Sequence, residues 1–340
     1  MRLSDLVYEL DPTCIAREPS EVRLGRRGLN RMLCVQRKTA SLMDSQVSSL
    51  PALLSPGDVV VVNDSCRSAG VLFGRFSSGG EVELRLVKRM SDRRFVARVF
   101  PDHFCKPGAE LSVEEHTVTV VDGPTGEHGL YTLQSSAPLE VILEASGKPI
   151  TSFFYDGYFH LGNYNPVYSR SPGSFESPMA GLHLSEEILA DLRSNDIEVV
   201  KLTHHVVGSW LSPIGEEIDA LTMSEEAYEV PVATAKSIRR AKNEGNRVVA
   251  VGSTCVRALE SASNTDGVPS AGPGRTSLCI RPGFQFRCVD GYLTSFHPAR
   301  SSLMVLDVAF CGLSLLRSAY MHANRERYMF LEFGDAVVYL

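Results

Sequence analysis

The side chains with most chemical capacity in this chain fall in three short stretches. They are Ser177-Pro-Met-Ala-Gly-Leu-His183, Val251-Gly-Ser-Thr-Cys-Val-Arg-Ala-Leu-Glu260 and Leu293-Thr-Ser-Phe-His297. Each sets small or polar residues where an apolar run ends, which is how α/β proteins build ligand sites at the carboxyl ends of strands. At Gly252-Ser253-Thr254 a strand-to-helix turn would expose backbone N–H groups and the positive end of the helix dipole, and so favour an anion. The Ser253 and Thr254 hydroxyls could add hydrogen bonds, and Arg257, one turn in, could fork onto a carboxylate. An ordinary helix cap with a surface Arg accounts for the same residues.

His183 follows Met179-Ala180-Gly181-Leu182 and suits a general base near neutral pH, or a hydrogen-bonded structural role. His205 stands beside His204 at the end of a strand beginning near Ile197; no Asp, Glu or Cys at ligand spacing accompanies the pair, so no metal is expected. His297 follows the apolar run from Tyr292 and precedes Pro298. Asn63-Asp64 also ends an apolar strand, where Asp64 could orient a ribose hydroxyl or a His, or simply make a turn. Phe333-Gly-Asp335 offers another carboxylate with the same two readings. There is no G-x-G-x-x-G, P-loop or G-x-S-x-G, so dinucleotide, NTP and serine-hydrolase readings lack their mechanical signatures.

The elements that would position these residues are of two textures. Between about residues 70 and 150, short alternating segments separated by Gly/Pro/Asp turns predict a small antiparallel β-barrel: Glu81 to Val87, Arg94 to Phe100, Thr117 to Val121 and Leu130 to Leu133. After about residue 180 the texture is α/β. Ser185 predicts an N-cap with Glu186 and Glu187 in the first turn of a helix to about Ser194. A strand follows from Ile197, a helix over Val232 to Asn243 stopped by Gly245, and a strand over Arg247 to Gly252 feeding a helix over Val256 to Ala262. A last helix is expected over about Leu303 to Arg325, and Ser263 to Arg275 reads as an exposed Gly/Ser/Pro-rich loop. Val59 to Asn63 resembles the C-terminal strands. The fold class expected is therefore an α/β main domain, residues 1–68 and 152–340, with an inserted barrel over 69–151.

Bulk properties agree. The 340 residues are 44% hydrophobic, enough for about two domains with sizeable cores. The formal charge is -6, from 34 basic and 40 acidic residues, so a general nucleic-acid binder is not indicated, although net charge does not report a local basic patch. Eight cysteines form no C-x-x-C pair and read as free thiols of a reducing compartment. No h-region follows Met1 and no window approaches about 18 uninterrupted apolar residues, so a cytoplasmic protein without membrane contact is expected. A monomer is the expected state, although no sequence feature fixes it.

In their colinear order the motifs resemble the S-adenosylmethionine:tRNA ribosyltransferase-isomerase family of queuosine biosynthesis. The similarity runs from Met1-Arg-Leu-Ser-Asp-Leu-Val-Tyr-Glu-Leu10 through Leu54 to Asp64 and Gly79-Gly-Glu-Val-Glu83. It is most specific at Ser177 to His183, Val251 to Ser261 and Leu293 to His297, and closes at Phe333-Gly-Asp-Ala336. The resemblance implies S-adenosylmethionine as a ribosyl donor, used as a co-substrate without a metal or redox cofactor. The ribosyl part would move to the aminomethyl group of a 7-deazaguanine base in tRNA and rearrange to an epoxycyclopentanediol, with loss of adenine and methionine. On that reading His183, His205 and His297 are the candidates for proton transfer, and Gly252 to Thr254 with Arg257 for holding the methionine carboxylate. Asn63, Asp64, Ala180, Gly181, Phe296 and Asp335 are further candidates for contact with the substrate.

The chain departs from the family pattern at several loops. Asn63-Asp-Ser-Cys66, with Arg67 one place late, stands for Asn-Asp-Thr-Arg; Phe100-Pro-Asp-His-Phe104 stands for Arg-Pro-Gly-Lys-Arg. A Pro-Pro-Tyr-Ile stretch is replaced near Thr151 to Asp156, Tyr-Gln-Thr-Val-Tyr becomes Tyr164-Asn-Pro-Val-Tyr168, and the His205 to Trp210 loop is one residue shorter. Ala220 to Ser224 lacks the family's Glu and two His, and Ser295 replaces Asn. Two other readings stand beside the tRNA enzyme: an S-adenosylmethionine-using paralogue with a small-molecule acceptor, which the lost basic residues favour, and a binding protein without catalysis, which would explain the missing Glu and His.

Overall fold

A computed structural model describes residues 1–126, 129–151, 154–155, 157–176, 178–206 and 216–340. Ser177, part of the Thr151 to Asp156 stretch and the Val207 to Trp210 part of the shortened loop lie outside the described residues. The chain opens with strands β1 (Arg31–Gln36), β2 (Ser41–Gln46), β3 (Val59–Asn63) and β4 (Ser65–Arg67). Strands β5 (Val71–Phe76), β6 (Gly80–Arg89), β7 (Arg94–Phe100), β8 (Glu110–Val113), β9 (His116–Thr125) and β10 (Leu130–Ser135) follow. Then come β11 (Ser171–Ser174), β12 (Glu198–His204), β13 (Glu226–Val230), β14 (Val248–Val251), β15 (Gly272–Thr276), β16 (Gly291–Ser295) and β17 (Ala336–Tyr339).

Four consecutive valines in β3 show no polar alternation, the pattern of a strand covered on both faces, and all five of its residues are buried. It lies inside a nine-stranded sheet of order β15-β13-β12-β3-β14-β16-β17-β1-β2. Strands β12, β3, β14 and β16 run parallel, so Asn63, His204, Val251 and Ser295 end at one edge. Strand β17 is antiparallel to β16 and pairs Ala336 with Ser295, which brings Asp335 to that edge as well. One face of the sheet packs on the helices Val232–Glu244, Ser253–Ala262, Ser302–Cys311 and Leu313–Arg325. The other packs on Leu50–Leu53, the turn Met179–His183 and the helix Glu186–Ser194.

Strands β5 to β10 close a six-stranded antiparallel barrel in the order β10-β7-β6-β5-β8-β9. Alternation decides its interior: Val82, Leu84 and Leu86 of β6 point inward with Phe95, Ala97 and Val99 of β7. The helix Leu139–Ser146 adds Leu139, Ile142 and Leu143 to the same core. The chain leaves for the barrel after β4 and returns at β11, and these two strands pair side by side in parallel. The fold is thus the expected α/β assembly with an inserted antiparallel barrel. We propose 69–151 as the extent of the insert and 1–68 with 152–340 as the surrounding domain.

Three details differ from expectation. The last helix is two, Ser302–Cys311 and Leu313–Arg325, broken at Gly312 and bent by 114°. Both pieces bury apolar side chains in the core on that face of the sheet. Gly272 to Arg275, expected in an exposed loop, belongs to edge strand β15, which pairs with β13. The helix after β14 starts at Ser253 rather than Val256. The other expected elements hold: Ser185 caps Glu186–Ser194 through Ile188 N–H, and Gly245 ends Val232–Glu244. Among the described residues no single helix is long and apolar enough to cross a membrane.

Candidate active site

The carboxyl edge of the parallel strands brings the three stretches together. Gly252 N–H donates to Leu293 O at 2.8 Å, tying the second stretch to the third. His183 Nε2 lies 2.8 Å from Ser295 Oγ, tying the first to the third. Ala180 packs against Gly252: a Cβ at that glycine would lie 3.5 Å from Ala180 Cβ. Gly252 has φ +88°, a conformation open to Gly at little cost, and it turns β14 directly into the helix Ser253–Ala262. Gly181 is required by a close approach, because a Cβ there would overlap Tyr168 Oη. That hydroxyl is buried and has no hydrogen-bond partner among the described residues.

Several expected contact residues are occupied inside the protein. Asn63 is fully buried; its amide donates to His204 O at 2.9 Å and Thr254 Oγ1 at 3.1 Å, and its carbonyl accepts from Ser65 N–H and His204 N–H. It clamps β3, β12 and the following helix and has no amide hydrogen bond left for a substrate. Phe296 is fully buried among Tyr320, Tyr328 and Phe330, so it is core rather than a ligand contact. The Asp335 carboxylate accepts backbone N–H groups from Met329 at 2.8 Å and Arg31 at 3.0 Å, the turn reading of that residue.

His297 is likewise committed. Nδ1 meets Asp307 Oδ2 at 2.8 Å, Nε2 meets Thr294 Oγ1 at 3.0 Å, its N–H donates to Tyr320 Oη and its carbonyl accepts from Tyr8 Oη. It faces the helices Ser302–Cys311 and Leu313–Arg325, whereas His183 and Ser295 face the opposite side of the sheet. His183 is almost wholly buried, and burial, reinforced by the Arg23 charge, pushes its pKa from 6.5 down to about 4. It is neutral at pH 7, and burial makes it a weaker proton acceptor than a free imidazole.

Arg257 does not offer a free fork. Nη1 pairs with Glu226 and Nε donates to Leu278 O at 2.9 Å, leaving only Nη2 without a partner among the described residues. Glu226 also meets His204 Nε2 at 3.0 Å, while His204 Nδ1 donates to Thr254 O at 2.9 Å. Burial opposes the Glu226 charge, yet His204 and Arg257 outweigh it and hold the carboxyl below its usual range. The three side chains form a buried charged network directly beneath the Gly252 to Thr254 turn.

The polar groups that remain open lie together. Asp64 Oδ1 accepts from Thr203 Oγ1 at 2.7 Å and Ser171 Oγ at 3.0 Å, while Oδ2 has no partner among the described residues. The His205 side chain, half-buried, makes one long hydrogen-bond contact among the described residues, 3.5 Å from Nδ1 to Ser174 Oγ. Burial, then His204, lowers its pKa, with Asp64 acting in the opposite direction. Ser253 opens the helix beside this cluster, half-buried and with no side-chain hydrogen bond among the described residues. Among the described residues no group of three His, Cys, Asp or Glu could hold a metal ion.

Ser171, Thr203, Glu226 and Asp307 were not singled out from the sequence. Asp307 had a signal, a carboxylate inside an otherwise apolar helical run from Leu303 to Phe310. Ser171, Thr203 and Glu226 had none, since each is an ordinary strand residue until its neighbours are known.

The fold is that of an α/β protein with an inserted barrel, and a polar cluster lies at the carboxyl ends of its parallel strands, where such folds place ligands. A family model described as "Queuosine biosynthesis protein" matches residues 3–339, and the chain belongs to that family. It is 36% identical over 356 residues to the S-adenosylmethionine:tRNA ribosyltransferase-isomerase of Nitrosospira multiformis, covering 99% of this chain and 98% of that protein. The enzyme of the same name from Moorella thermoacetica is 36% identical over 346 residues, covering 100% of both. The crystal structure of S-adenosylmethionine tRNA ribosyltransferase from Thermotoga maritima superposes with a TM-score of 0.56 at 29% identity, covering 99% of this chain and 100% of that one.

Proposed function

We propose that the protein transfers and isomerises the ribosyl part of S-adenosylmethionine onto the aminomethyl group of a 7-deazaguanine base in tRNA, releasing adenine and methionine. The family and the names of its full-length relatives support this reading. The observation that carries it in this chain is the open cluster of Asp64, Thr203, Ser171 and His205 beside the Ser253 helix start.

The reaction needs a proton removed from the carbon beside the sulfonium, a hold on the ribose hydroxyls and a seat for the methionine carboxylate. His205 is neutral at pH 7 and half-open, and it serves as the proton acceptor in place of the buried His183 and His297. Asp64 Oδ2 takes a ribose hydroxyl while Thr203 and Ser171 fix the other oxygen. Ser253 and the first N–H groups of the Ser253–Ala262 helix seat the carboxylate, with the helix dipole favouring its charge. The His204–Glu226–Arg257 network holds that turn from below and acts as a positioning group.

The test is incubation with S-adenosylmethionine, with and without tRNA bearing the aminomethyl-deazaguanine base, following adenine and methionine by mass spectrometry. Release that requires the tRNA is expected. Saturable S-adenosylmethionine binding without release would point to a small-molecule acceptor or a binding protein, and absence of binding would overturn the donor assignment.

A further inference from the structure

Away from the site, the outer face of the barrel carries side chains that the fold does not use. The register sets Phe73, Glu83 and Phe100 in one row across β5, β6 and β7, with Arg85 and Arg98 paired in the next row. Two-residue spacing puts both rows on the same face. The Arg85 and Arg98 guanidinium carbons lie 5.5 and 4.8 Å from the Phe100 ring centroid. Glu83 is paired with Arg85, whereas Arg98 has no acidic partner among the described residues. Phe73 meets Tyr158 edge-on at 6.2 Å, yet the two remain 45% and 43% exposed.

Rings left half in water contribute little to the barrel's stability. Rings flanked by guanidiniums suit one partner in particular, a nucleic acid with unstacked bases for the rings and phosphates for the cations. The patch also leads toward the site. Next to Tyr158, Phe159 lies 6.5 Å from Tyr164 and 5.9 Å from Phe333, and Arg67 covers Tyr164 at 4.5 Å. Arg67 ends β4, three residues beyond Asp64. Phe100 stands where the family pattern expects Arg, so a ring between two guanidiniums occupies a place where a cation is missing.

We infer that this outer face, centred on Phe73, Phe100 and Tyr158 with Arg85 and Arg98, docks the single-stranded loop of the RNA substrate. Bases stack on the exposed rings and the backbone phosphates engage the arginines. The inference rests on the tRNA reading above for the identity of the substrate, but RNA binding by the patch is measurable without turnover.

The experiment is fluorescence anisotropy of the full-length protein with a labelled RNA hairpin that has a single-stranded loop, and with a blunt RNA duplex of equal length. Phe73→Ala combined with Tyr158→Ala is expected to weaken hairpin binding about tenfold or more while duplex binding stays unchanged. Tyr158→Phe retains hairpin affinity because the ring remains. Arg98→Ala lowers the slope of log affinity against log salt by about one. Melting temperature and S-adenosylmethionine binding stay at wild-type values in each variant, since all three residues are on the surface. Wild-type hairpin affinity in the double variant, or equal losses on hairpin and duplex, overturns the platform. Adenine release with an unchanged KM for tRNA in the double variant overturns it too and leaves the enzymatic reading standing. Patch-dependent hairpin binding without any tRNA-dependent adenine release supports the platform and sinks the enzymatic reading.

Discussion

Ser295 Oγ and His183 Nε2, 112 residues apart in the chain, meet at 2.8 Å in a buried contact that locks the Met179–His183 turn onto the end of β16. Removing the hydroxyl by Ser295→Ala leaves a buried ring nitrogen without its partner. We expect a loss of about 1–3 kcal/mol, read as a lower urea midpoint at unchanged m-value. A wild-type midpoint would show that the contact does not support the turn.

His183 also predicts an acid-sensitive fold. The unfolded chain protonates this residue as pH falls below 6.5, whereas the folded protein resists until about 4. Between those values the unfolded state binds more protons, so stability is full above pH 6.5 and declines as pH falls through the window. The decline assigned to this one group is about 3 kcal/mol. His183→Gln should flatten that part of the stability–pH curve; an unchanged curve would assign the acid sensitivity elsewhere.

Glu226 neutralises Arg257 and accepts from His204 in the interior. Glu226→Ala strands a buried guanidinium, and we expect about 3–5 kcal/mol of destabilisation by chemical denaturation. Replacing Glu226 and Arg257 together by apolar residues of similar size should restore part of that loss, whereas additive losses would argue against coupling.

Asp64 and His205 are predicted to act on turnover rather than on folding. His205→Ala should lower kcat by about 10²–10⁴, with the melting temperature unchanged. Asp64→Asn keeps an acceptor for Thr203 and Ser171 but loses the charge facing the site, so kcat/KM should fall while the circular dichroism melt stays the same. Wild-type turnover in either variant removes that residue from the proposed chemistry.

Gly181 and Tyr168 are in contact so close that Gly181→Ala must displace the tyrosine ring. Overpacking of this kind costs about 1–3 kcal/mol, and the smaller partner in Gly181→Ala/Tyr168→Phe should recover some of it. If the single variant melts like the parent protein, the turn has more room than the geometry indicates.

The chain's local chemistry was enough to place most elements. Four valines at β3 marked a strand covered on both faces, Ser185 and Gly245 marked helix ends, and alternation between Glu81 and Leu133 marked the barrel. Such signals depend on neighbours a few residues away, which the sequence itself specifies. It also marked the edge where the site would form, because Asn63, Gly252 and Ser295 each close an apolar strand. Only the tertiary structure decided which side chains at that edge stay open. Asn63, Phe296, His297, Asp335 and most of Arg257 turn inward to partners 2 to 304 residues away, or into an aromatic core. Asp64 gains Thr203 and Ser171 from strands far along the chain. A polar residue's role depends on whether its hydrogen bonds are already taken, and strand pairing across long sequence separations settles that.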